Sequence, residues 1–541
     1  MPFVDRGGAI DEVLRLVSVQ HAPKALVILD RLPQQDAFTH ALGAFAAFMA
    51  DDHDELDKRS AAARAMESEG PIQLLALSTR VLAGAVGRLQ SEELDPLLSE
   101  LESAAVEVSC EDQLTSFAHY VAIEAALGAA QLSLVNRLVE DNAPPEDFWP
   151  GHPYVGVIVS CRARAAAFGG QINESLSVVA KERQSGVPAV LVHVAQALGA
   201  AYGGQIERAR RLIDVVEAAQ VDPIDRLGRS VYVLLAHIEA GMSQPQRCAR
   251  AVSQIGEDAD LPHLTVVDRA MLFELLVYAA LTADDLVAAN DWHLRASALE
   301  KHRVAAPAVL RIRARLAIRA GDFADAEGMA KRAVEEVVDE GRVIERSIGQ
   351  IVLARAQMGA GKISAATRTL IDAVAATERA GQHLLRRAAE RELRAARRRL
   401  PPTAGEGWAV LSVRETEVAE LILSGADNAR IAQELHLSTR TVSTHVTRIL
   451  RAFDTSSRIG FLAAVCDQVP IGEPLPVLTT RQEAVVQLLA QGISNDEIGD
   501  CLGIRPKSVE KHVSDIMSRW DVETRFAIAH LWWAGASYAQ P

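Results

Sequence analysis

The chain has 541 residues, of which 49% are apolar and 4% aromatic, and its formal net charge at pH 7 is −15. This length exceeds what one hydrophobic core usually supports, so two to four domains are expected. Abundant Ala and Leu with few aromatic residues favour close-packed helices over a β-sandwich, and the negative charge argues against general coating of nucleic acid.

The cysteines and the apolar stretches indicate a reduced, cytoplasmic protein. The five cysteines stand singly, without a C-x-x-C pair, at Cys110, Cys161, Cys248, Cys466 and Cys501. This pattern predicts neither a disulfide framework nor a zinc site. Charges in the first turns argue against a signal peptide, and no stretch reaches the roughly 18 apolar residues of a membrane span. We therefore predict no cofactor, no metal and no membrane association.

Pairs of amphipathic helices recur between residues 120 and 380, and residues 1–120 show helical periodicity with weaker repeat spacing. Segments such as "AQALGAAYGGQIERARRLIDVV" and "ARLAIRAGDFADAEGMAKRAVEEV" join an Ala-rich helix to a second helix through a short turn. The turns fall at Gly128, Gly170, Gly204, Gly241, Asp284, Gly321 and Gly361, which are 34 to 43 residues apart. This period is typical of helical-hairpin repeats, whose neighbours stack because one hairpin cannot bury its apolar face alone.

These segments resemble tetratricopeptide repeats, although most Trp and Tyr positions of that consensus are missing. We predict a TPR-like α-solenoid over residues 1–400, with residues 1–120 continuing or capping the array. The resemblance implies a sensor or interaction domain. Whether its effector is a protein, a peptide or a small molecule is left open by the sequence.

The sequence contains none of the complete catalytic motifs considered below. The stretch "GAGKIS" at 359–364 resembles a phosphate loop, but G-x-x-x-x-G-K-[ST] requires Gly at 356 and Ser or Thr at 363. Ala356 and Ile363 stand there instead. H-E-x-x-H and G-x-S-x-G are also missing from the sequence. The chain is therefore predicted not to be an enzyme.

The predicted array ends in an arginine-rich helix followed by "PPTAGEGW", which we interpret as a linker over residues 401–410. Four arginines of that helix share one face, at Arg387, Arg391, Arg394 and Arg398. The stripe is either a solvated helix face or a phosphate-contacting surface beside a DNA-binding domain.

The C-terminal region contains the same module twice. Residues 411–458 align without a gap on 478–525 and share 14 identities, among them Arg414/Arg481, Asn428/Asn495 and His445/His512. This indicates a duplicated domain over 411–466 and 478–541, with a linker at 467–477 that its prolines should keep extended.

Each module predicts four helices. Ser412 with Glu415 and Thr479 with Gln482 form capping boxes that start helix one. Asp427, or Ser494 with Glu497, begins helix two. The third helix opens at Ser438 or with Pro506 in its first turn, and the fourth follows Arg458 or Arg525. A short helix, a tight turn and a longer helix with one polar face are typical of a helix-turn-helix.

The stretches "LSVRETEV", "NARIAQELHLSTRTVSTHVTRIL" and "ISNDEIGDCLGIRPKSVEKHVSDIM" resemble the DNA-binding domain of LuxR (GerE, FixJ/NarL-type) bacterial regulators. The resemblance covers about a fifth to a quarter of the chain. Helical repeats joined to such a domain are also similar to the large MalT-like regulators, although the nucleotide-binding domain of that group has no counterpart in this sequence. The resemblance implies binding of double-stranded promoter DNA.

The two faces of the third helix separate core residues from predicted DNA contacts. Val442, Val446, Ile449 and Phe453 recur on one side and should pack inward. The predicted DNA-binding residues are Arg440, Thr441, Ser443, Thr444, Thr447, Arg448 and Arg451 in the first module, and Lys507, Ser508, Glu510, Lys511 and Ser514 in the second. By resemblance, Ser443, Thr444 and Thr447, then Glu510, Lys511 and Ser514, read bases, and Thr441 and Ser508 contact phosphates. His445 and His512 are interpreted as packed helix-face histidines.

Charge complicates this interpretation. Residues 411–463 hold six Arg and six acidic residues, and residues 478–531 hold six basic and eight acidic residues. DNA-binding domains are usually basic, so the first module is the better predicted reader, whereas the second either binds weakly or forms a partner surface. Trp532 and Trp533 near the C-terminus serve either helix packing or a dimer contact.

The sequence thus predicts an all-α regulator whose solenoid receives a signal and whose tandem helix-turn-helix domains bind promoter DNA. One chain could occupy two half-sites, and a homodimer four. The alternative is an α-solenoid scaffold whose terminal modules only pair with other proteins. Operator, effector and the sign of regulation are not specified by the sequence.

Overall fold

The computed structural model describes residues 6–32, 34–140, 148–177, 185–337, 341–395, 407–465 and 475–536. Within these ranges the protein contains 29 α-helices, one 3-10 turn at Gly407–Val410 and no strand. The chain divides into two compact units, residues 1–399 and 400–541. The predicted all-α class is confirmed.

No helix in the described ranges is both long enough and apolar enough to cross a lipid bilayer.

The described residues of unit one form 21 helices, and the first twenty pair in chain order into ten hairpins. Their bounds are α1 Arg6–Ser18, α2 Ala22–Asp30, α3 Ala37–Met49, α4 His53–Ala65, α5 Gly70–Ala85, α6 Ser91–Glu107, α7 Gln113–Gly128, α8 Leu132–Glu140, α9 Val155–Phe168, α10 Ile172–Ser177, α11 Gly186–Tyr202, α12 Ile206–Ala218, α13 Arg226–Gly241, α14 Pro245–Ser253, α15 Val266–Thr282, α16 Leu286–Ser297, α17 Ala306–Ala320, α18 Phe323–Glu335, α19 Val343–Gly359, α20 Ile363–Arg379 and α21 His383–Ala395.

Every hairpin turns through one residue with positive φ, a conformation that reverses the chain within a few residues. These ten residues are Gln20, Asp51, Gly87, Ala130, Gly170, Gly204, Ser243, Asp284, Gly321 and Gly361. They are 31 to 43 residues apart, so the repeat period extends through the first 120 residues as well. The predicted α-solenoid is confirmed.

Two of the predicted turn glycines do not take the left-handed position. Gly128 and Gly241 are the last residues of α7 and α13, and Ala130 and Ser243 turn the chain two residues later. A Cβ atom at Gly128 would lie 3.0 Å from the Cβ atom of Ala85, and one at Gly241 would be equally close to a leucine of α21. Both glycines therefore serve close helix packing rather than the turn.

The first helices of the hairpins pack on one another in chain order from α3 to α21, and the second helices cover them. This layer winds into a superhelix whose successive windings touch. Helix α3 contacts α13, and α11 contacts α21, in each case five hairpins further along the chain. We call the boundary between successive windings the inter-turn seam. Four of the hydrogen bonds across it join residues 202 to 215 apart: Gln20 Nε2 to the Asp222 carbonyl (3.0 Å), Arg303 Nη1 to Asp95 Oδ2 (3.2 Å), the Gly341 N–H to Ser133 Oγ (3.2 Å) and Gln382 Nε2 to the Ala167 carbonyl (2.9 Å).

A buried ion-pair cluster lies among three consecutive first helices, α15, α17 and α19. The Arg311 side chain is fully buried, and its Nη2 atom lies 2.7 Å from Glu274 Oε2 and 3.3 Å from Glu345 Oε2. Arg342 also contacts Glu345, at 2.6 Å. Because each charge has a partner, the cluster joins adjacent repeats without leaving an isolated ion in the interior.

Unit two contains two copies of a four-helix module. Copy one comprises α22 Val413–Leu423, α23 Asn428–Glu434, α24 Thr439–Ala452 and α25 Arg458–Ala464. Copy two comprises α26 Thr480–Ala490, α27 Asn495–Leu502, α28 Pro506–Trp520 and α29 Arg525–Ala536. All predicted helix starts are confirmed, including the capping boxes of Ser412, Thr479 and Ser494.

Parts of both predicted linkers lie outside the described residues, namely 401–406 and 467–474, as do the side chains of Arg394 and Arg398. Residues 407–410 of the first linker form the 3-10 turn. Its Trp408 ring packs edge-on against Phe453 and Phe461, with ring centroids 5.3 and 6.2 Å apart. This tryptophan is therefore part of the apolar core of copy one.

Candidate nucleic-acid interface

The third helix of each copy is held by its apolar side. Val442, Val446 and Ile449 of α24 are buried, and so are their equivalents in α28, listed here as Val509, Val513 and Ile516. Phe453 is partly buried against the same core. The hydrophobic periodicity predicted from the sequence is thus confirmed, and it directs the opposite face of each helix to solvent.

The polar face of α24 is open. Six of the seven residues predicted for DNA contact in copy one are exposed: Arg440, Thr441, Ser443, Thr444, Thr447 and Arg451. Three of their hydroxyls donate to carbonyl oxygens one turn earlier: Ser443 to Thr439 (3.0 Å), Thr444 to Arg440 (3.1 Å) and Thr447 to Ser443 (3.0 Å). A hydroxyl oxygen that donates one hydrogen bond can still accept others, so these exposed residues are suited to accept from base amino groups.

Arg448 differs from the other six. Its side chain is 31% exposed, and its Nη1 atom lies 3.3 Å from Glu415 Oε1 in α22. His445 Nδ1 lies 3.8 Å from the same oxygen. Burial opposes ionisation of Glu415, but hydrogen bonds from Ser412 and the contact with Arg448 lower its pKa below the ordinary value. Arg448 and His445 therefore help to fix α24 against α22.

Asn428 connects the two helices of the helix-turn-helix in copy one. Its Nδ2 atom in α23 donates to Ser443 Oγ in α24, at 3.2 Å. The equivalent Asn495 instead accepts a hydrogen bond from Arg525. The identity of Asn428 and Asn495 was visible in the sequence, but the role of neither was, because the partners lie on other helices.

In copy two, all five predicted residues are exposed: Lys507, Ser508, Glu510, Lys511 and Ser514. The charge on the two third helices differs. Helix α24 carries three arginines and no acidic residue, whereas α28 carries Glu510 and Asp515 beside Lys507, Lys511 and Arg519. The acidic residues that make copy one neutral thus lie outside α24, and the surface proposed to face DNA is locally positive.

Arg458 and its equivalent Arg525 stabilise the turn before helix two in their respective copies. Arg458 Nη2 donates to the Ala426 carbonyl at 2.9 Å, and Arg525 Nη2 donates to the Ile493 carbonyl at 2.5 Å. Burial lowers the pKa of both guanidinium groups from their ordinary value. In the sequence these arginines marked only the start of the fourth helix, and their identity in both copies was the signal for this shared role.

The two copies contact each other through their fourth helices and the ends of their first helices. His530 Nε2 of α29 lies 2.9 Å from the carbonyl oxygen of Leu423 at the end of α22. Reciprocally, Gly492, after α26, approaches Gly460 of α25: a Cβ atom there would lie 3.5 Å from the Gly460 Cα. The contact is thus reciprocal at the level of helices, since the end of helix one in each copy meets the fourth helix of the other, although the residues that make it are not equivalent.

The C-terminal tryptophans take part in packing within copy two. Trp532 and Trp533 are partly buried against the shared core, and Trp533 Nε1 donates to the Ala490 carbonyl at 3.1 Å. Across the interface between copies, the Arg458 guanidinium lies 4.8 Å from the centre of the Phe526 ring. This contact adds a cation–π interaction between α25 and α29.

A sequence-family model described as "Bacterial regulatory proteins, luxR family" matches residues 409–462 and 476–532. Both C-terminal modules are LuxR-family helix-turn-helix domains. Transcriptional regulatory protein DegU of Brevibacillus brevis is 41% identical to this chain over 70 residues, which cover 13% of the chain and 28% of DegU. The chain therefore spans under a third of that relative's length.

A solved structure, the APC/C hetero-tetramer Cut9-Hcn1, aligns over 72% of this chain and 86% of its own, with 11% identity and a TM-score of 0.35. That score is too low to bear on fold or function. In the described ranges, no three His, Cys, Asp or Glu side chains cluster as a metal site, and Cys110, Cys161, Cys248 and Cys501 form no disulfide.

Proposed function

We propose that this protein is a bacterial transcriptional regulator that binds promoter DNA through the two LuxR-family domains and receives a signal on the solenoid. The exposed, acid-free polar face of α24 carries this proposal, since its opposite side is fixed in a buried core. A rigid helix with a solvent-facing polar side is what major-groove reading requires. Such a regulator acts where the bacterial chromosome lies, in the cytoplasm.

The side chains divide into two roles. In copy one, Ser443, Thr444 and Thr447 read base edges, while Arg440, Thr441 and Arg451 contact the backbone. In copy two, Glu510, Lys511 and Ser514 face bases, and Lys507 and Ser508 face phosphates. Of the three base-contacting residues in copy one, Ser443 has the least hydrogen-bonding capacity left, because its Oγ atom already accepts a hydrogen bond from Asn428. Phosphate contacts set affinity and register, whereas base contacts set sequence preference.

The reciprocal contacts between copies support one further feature of this proposal. Two domains related by a two-fold axis present their third helices in opposite directions, as the halves of a dimer do. One chain then occupies two inverted half-sites. The half-sites differ in sequence, because a Ser/Thr set reads one and a Glu/Lys/Ser set reads the other. A homodimer would occupy four.

The deciding experiment is genome-wide mapping of DNA bound by the full chain, followed by anisotropy titrations of the recovered fragments between 50 and 200 mM salt. Saturable binding that weakens with salt is expected. The same titrations with Arg440→Ala/Arg451→Ala should lose affinity. Absence of saturable binding to any recovered fragment at 50 mM salt would refute the proposal.

A scaffold function is the second candidate, and the charge of copy two favours it. Residues 478–531 hold two more acidic than basic residues, and Glu510 and Asp515 lie on the exposed side of α28. Anionic side chains repel phosphates. If Arg440→Ala/Arg451→Ala leaves both DNA association and the regulated transcripts unchanged, the modules act in protein pairing.

A further inference from the structure

Between the outer helices α14 and α16 of the solenoid lies an open cleft of about 540 Å³. Its floor is the outward side of α15, at Leu276, Ala280 and Ala283, and Trp292 of α16 forms one wall. This volume is within the range of protein pockets that bind ligands, roughly 300–1,000 Å³. Small side chains on α15 leave the space, since an alanine fills much less volume than the leucines usual in a helix interface.

The rim of this cleft, here called the α14–α16 cleft, is lined by acidic side chains, and the arginine beside it, Arg295 at 5.6 Å from the centre of the Trp292 ring, is paired with Asp260 and Asp291. Glu257, Asp258 and Asp285 line the cleft, all three are exposed, and no Lys or Arg is among the lining residues. Carboxylates around an apolar floor create a negative potential that favours a ligand with apolar and cationic parts.

The wall helix also exposes apolar side chains. On α16, Leu286, Val287 and Leu294 are 44, 83 and 69% exposed. Three large exposed apolar residues on one 12-residue helix are more than solubility favours, and such surfaces commonly mark interaction sites. None of the three lines the cleft, and at about 100° per residue Val287 and Leu294 lie on the side of α16 opposite to Ala288 and Trp292, so they form a separate apolar surface.

We propose that the α14–α16 cleft binds an amphipathic helix of a partner protein, which places its apolar side chains on α15 and Trp292 and its Lys or Arg side chains against Glu257, Asp258 and Asp285. A helix in a groove between two helices repeats the packing that the solenoid uses between its own hairpins. This site would be the input of the proposed regulator, but its binding chemistry does not depend on DNA reading.

The test uses the full chain and three labelled 14-residue peptides. One is an amphipathic helix with a Leu face and a Lys face, one has Glu in place of Lys, and one has the Leu/Lys composition in scrambled order. We expect saturable binding of the first peptide, at least tenfold tighter than of the other two. Equal binding of the scrambled or Glu peptide, or no saturable binding of the first up to 1 mM, overturns the proposal.

Variants locate the binding. Ala283→Trp fills the cleft from an exposed position and should weaken peptide binding at least tenfold. Ala298→Trp, exposed at the end of α16 but outside the cleft, should not weaken it.

Removing the acidic charges of the rim tests the ion pairs. Glu257→Gln/Asp258→Asn should weaken peptide binding about threefold, compared with the charge-matched exposed pair Glu67→Gln/Glu69→Gln. Equal effects of cleft and control variants overturn the assignment. Loss of DNA binding alone would refute the regulator and leave this site intact.

Discussion

The Nε2 atom of His530 in copy two lies 2.9 Å from the carbonyl oxygen of Leu423 in copy one. The same ring lies against Gly425, where a Cβ atom would approach the imidazole to 3.1 Å. Gly425 has φ near +84° and thus ends α22 in a conformation that glycine adopts without strain. One residue of α29 therefore contacts the end of helix one in the other copy, and the two helix-turn-helix domains form one packed unit.

Acidification should destabilise the fold around this contact, because burial disfavours the charged form of the His530 ring. Burial lowers the folded-state pKa of His530 from its ordinary value of 6.5, so the unfolded chain binds a proton first as the pH falls. The stabilisation by His530 is complete above pH 6.5 and decreases below it. We expect the free energy of unfolding of the wild type, relative to His530→Gln, to fall between pH 7.5 and pH 5.5.

Urea unfolding followed by tryptophan fluorescence measures this difference, because four of the six tryptophans, Trp408, Trp520, Trp532 and Trp533, belong to unit two. Comparison with His530→Gln cancels the histidines of the solenoid. A difference that stays constant with pH would show that His530 does not titrate in this range.

Removing two exposed arginines from α24 should change the salt dependence of DNA binding. Each phosphate contact contributes about 0.9 to the slope of log K against log salt, so Arg440→Ala/Arg451→Ala should reduce the slope by about 2. The charge-matched control is Lys331→Gln/Arg332→Gln, exposed in the solenoid. An unchanged slope in the α24 variant would exclude phosphate contacts by these arginines.

The two copies should determine different parts of the operator. Lys511→Ala is expected to remove a guanine preference worth about 1–3 kcal/mol in one half-site, and Thr444→Ala should alter only the other half-site. Selection of bound sequences from a randomised DNA library, followed by sequencing, checks both. If either variant changes both half-sites equally, the copies do not read DNA independently.

Truncating the buried arginine of the solenoid should be costly. Arg311→Met leaves Glu274 and Glu345 without this cation in the interior, and we expect a loss of about 3–5 kcal/mol in the free energy of unfolding. The control is Arg313→Met, in the same helix as Arg311. It removes a partially exposed ion pair with Glu300 and should lower the free energy of unfolding by under about 1 kcal/mol. Equal midpoints for the two variants in urea unfolding would contradict this account.

The local features of the fold were predictable from sequence, since they depend on neighbouring residues. Ser412 and Glu415 identify a helix start because both partners of the capping box lie within four positions. The buried side of α24 follows from apolar residues at helical spacing. The duplicated pattern likewise predicted two modules.

The partners of distant residues were not predictable in this way. The inter-turn seam joins Gln20 to Asp222, and nothing in the repeat period states how many hairpins make one winding. The duplication did not show that His530 contacts the other copy. Asn428 was recognised as identical in both modules, and Arg448 was predicted to contact DNA. The role of Asn428, however, depends on a partner 15 positions away, and that of Arg448 on a partner 33 positions away.

The inter-turn seam also changes how local unfolding should propagate through the solenoid. In a simple repeat array each unit contacts only its neighbours, so stability is nearly additive along the chain and the ends fray independently. Here the Gly341 N–H bonds to Ser133, and Gln382 bonds to the Ala167 carbonyl, more than 200 residues away. Loss of the last hairpins would therefore loosen the middle of the solenoid, and the array should melt as one cooperative block that folds slowly for its helical content.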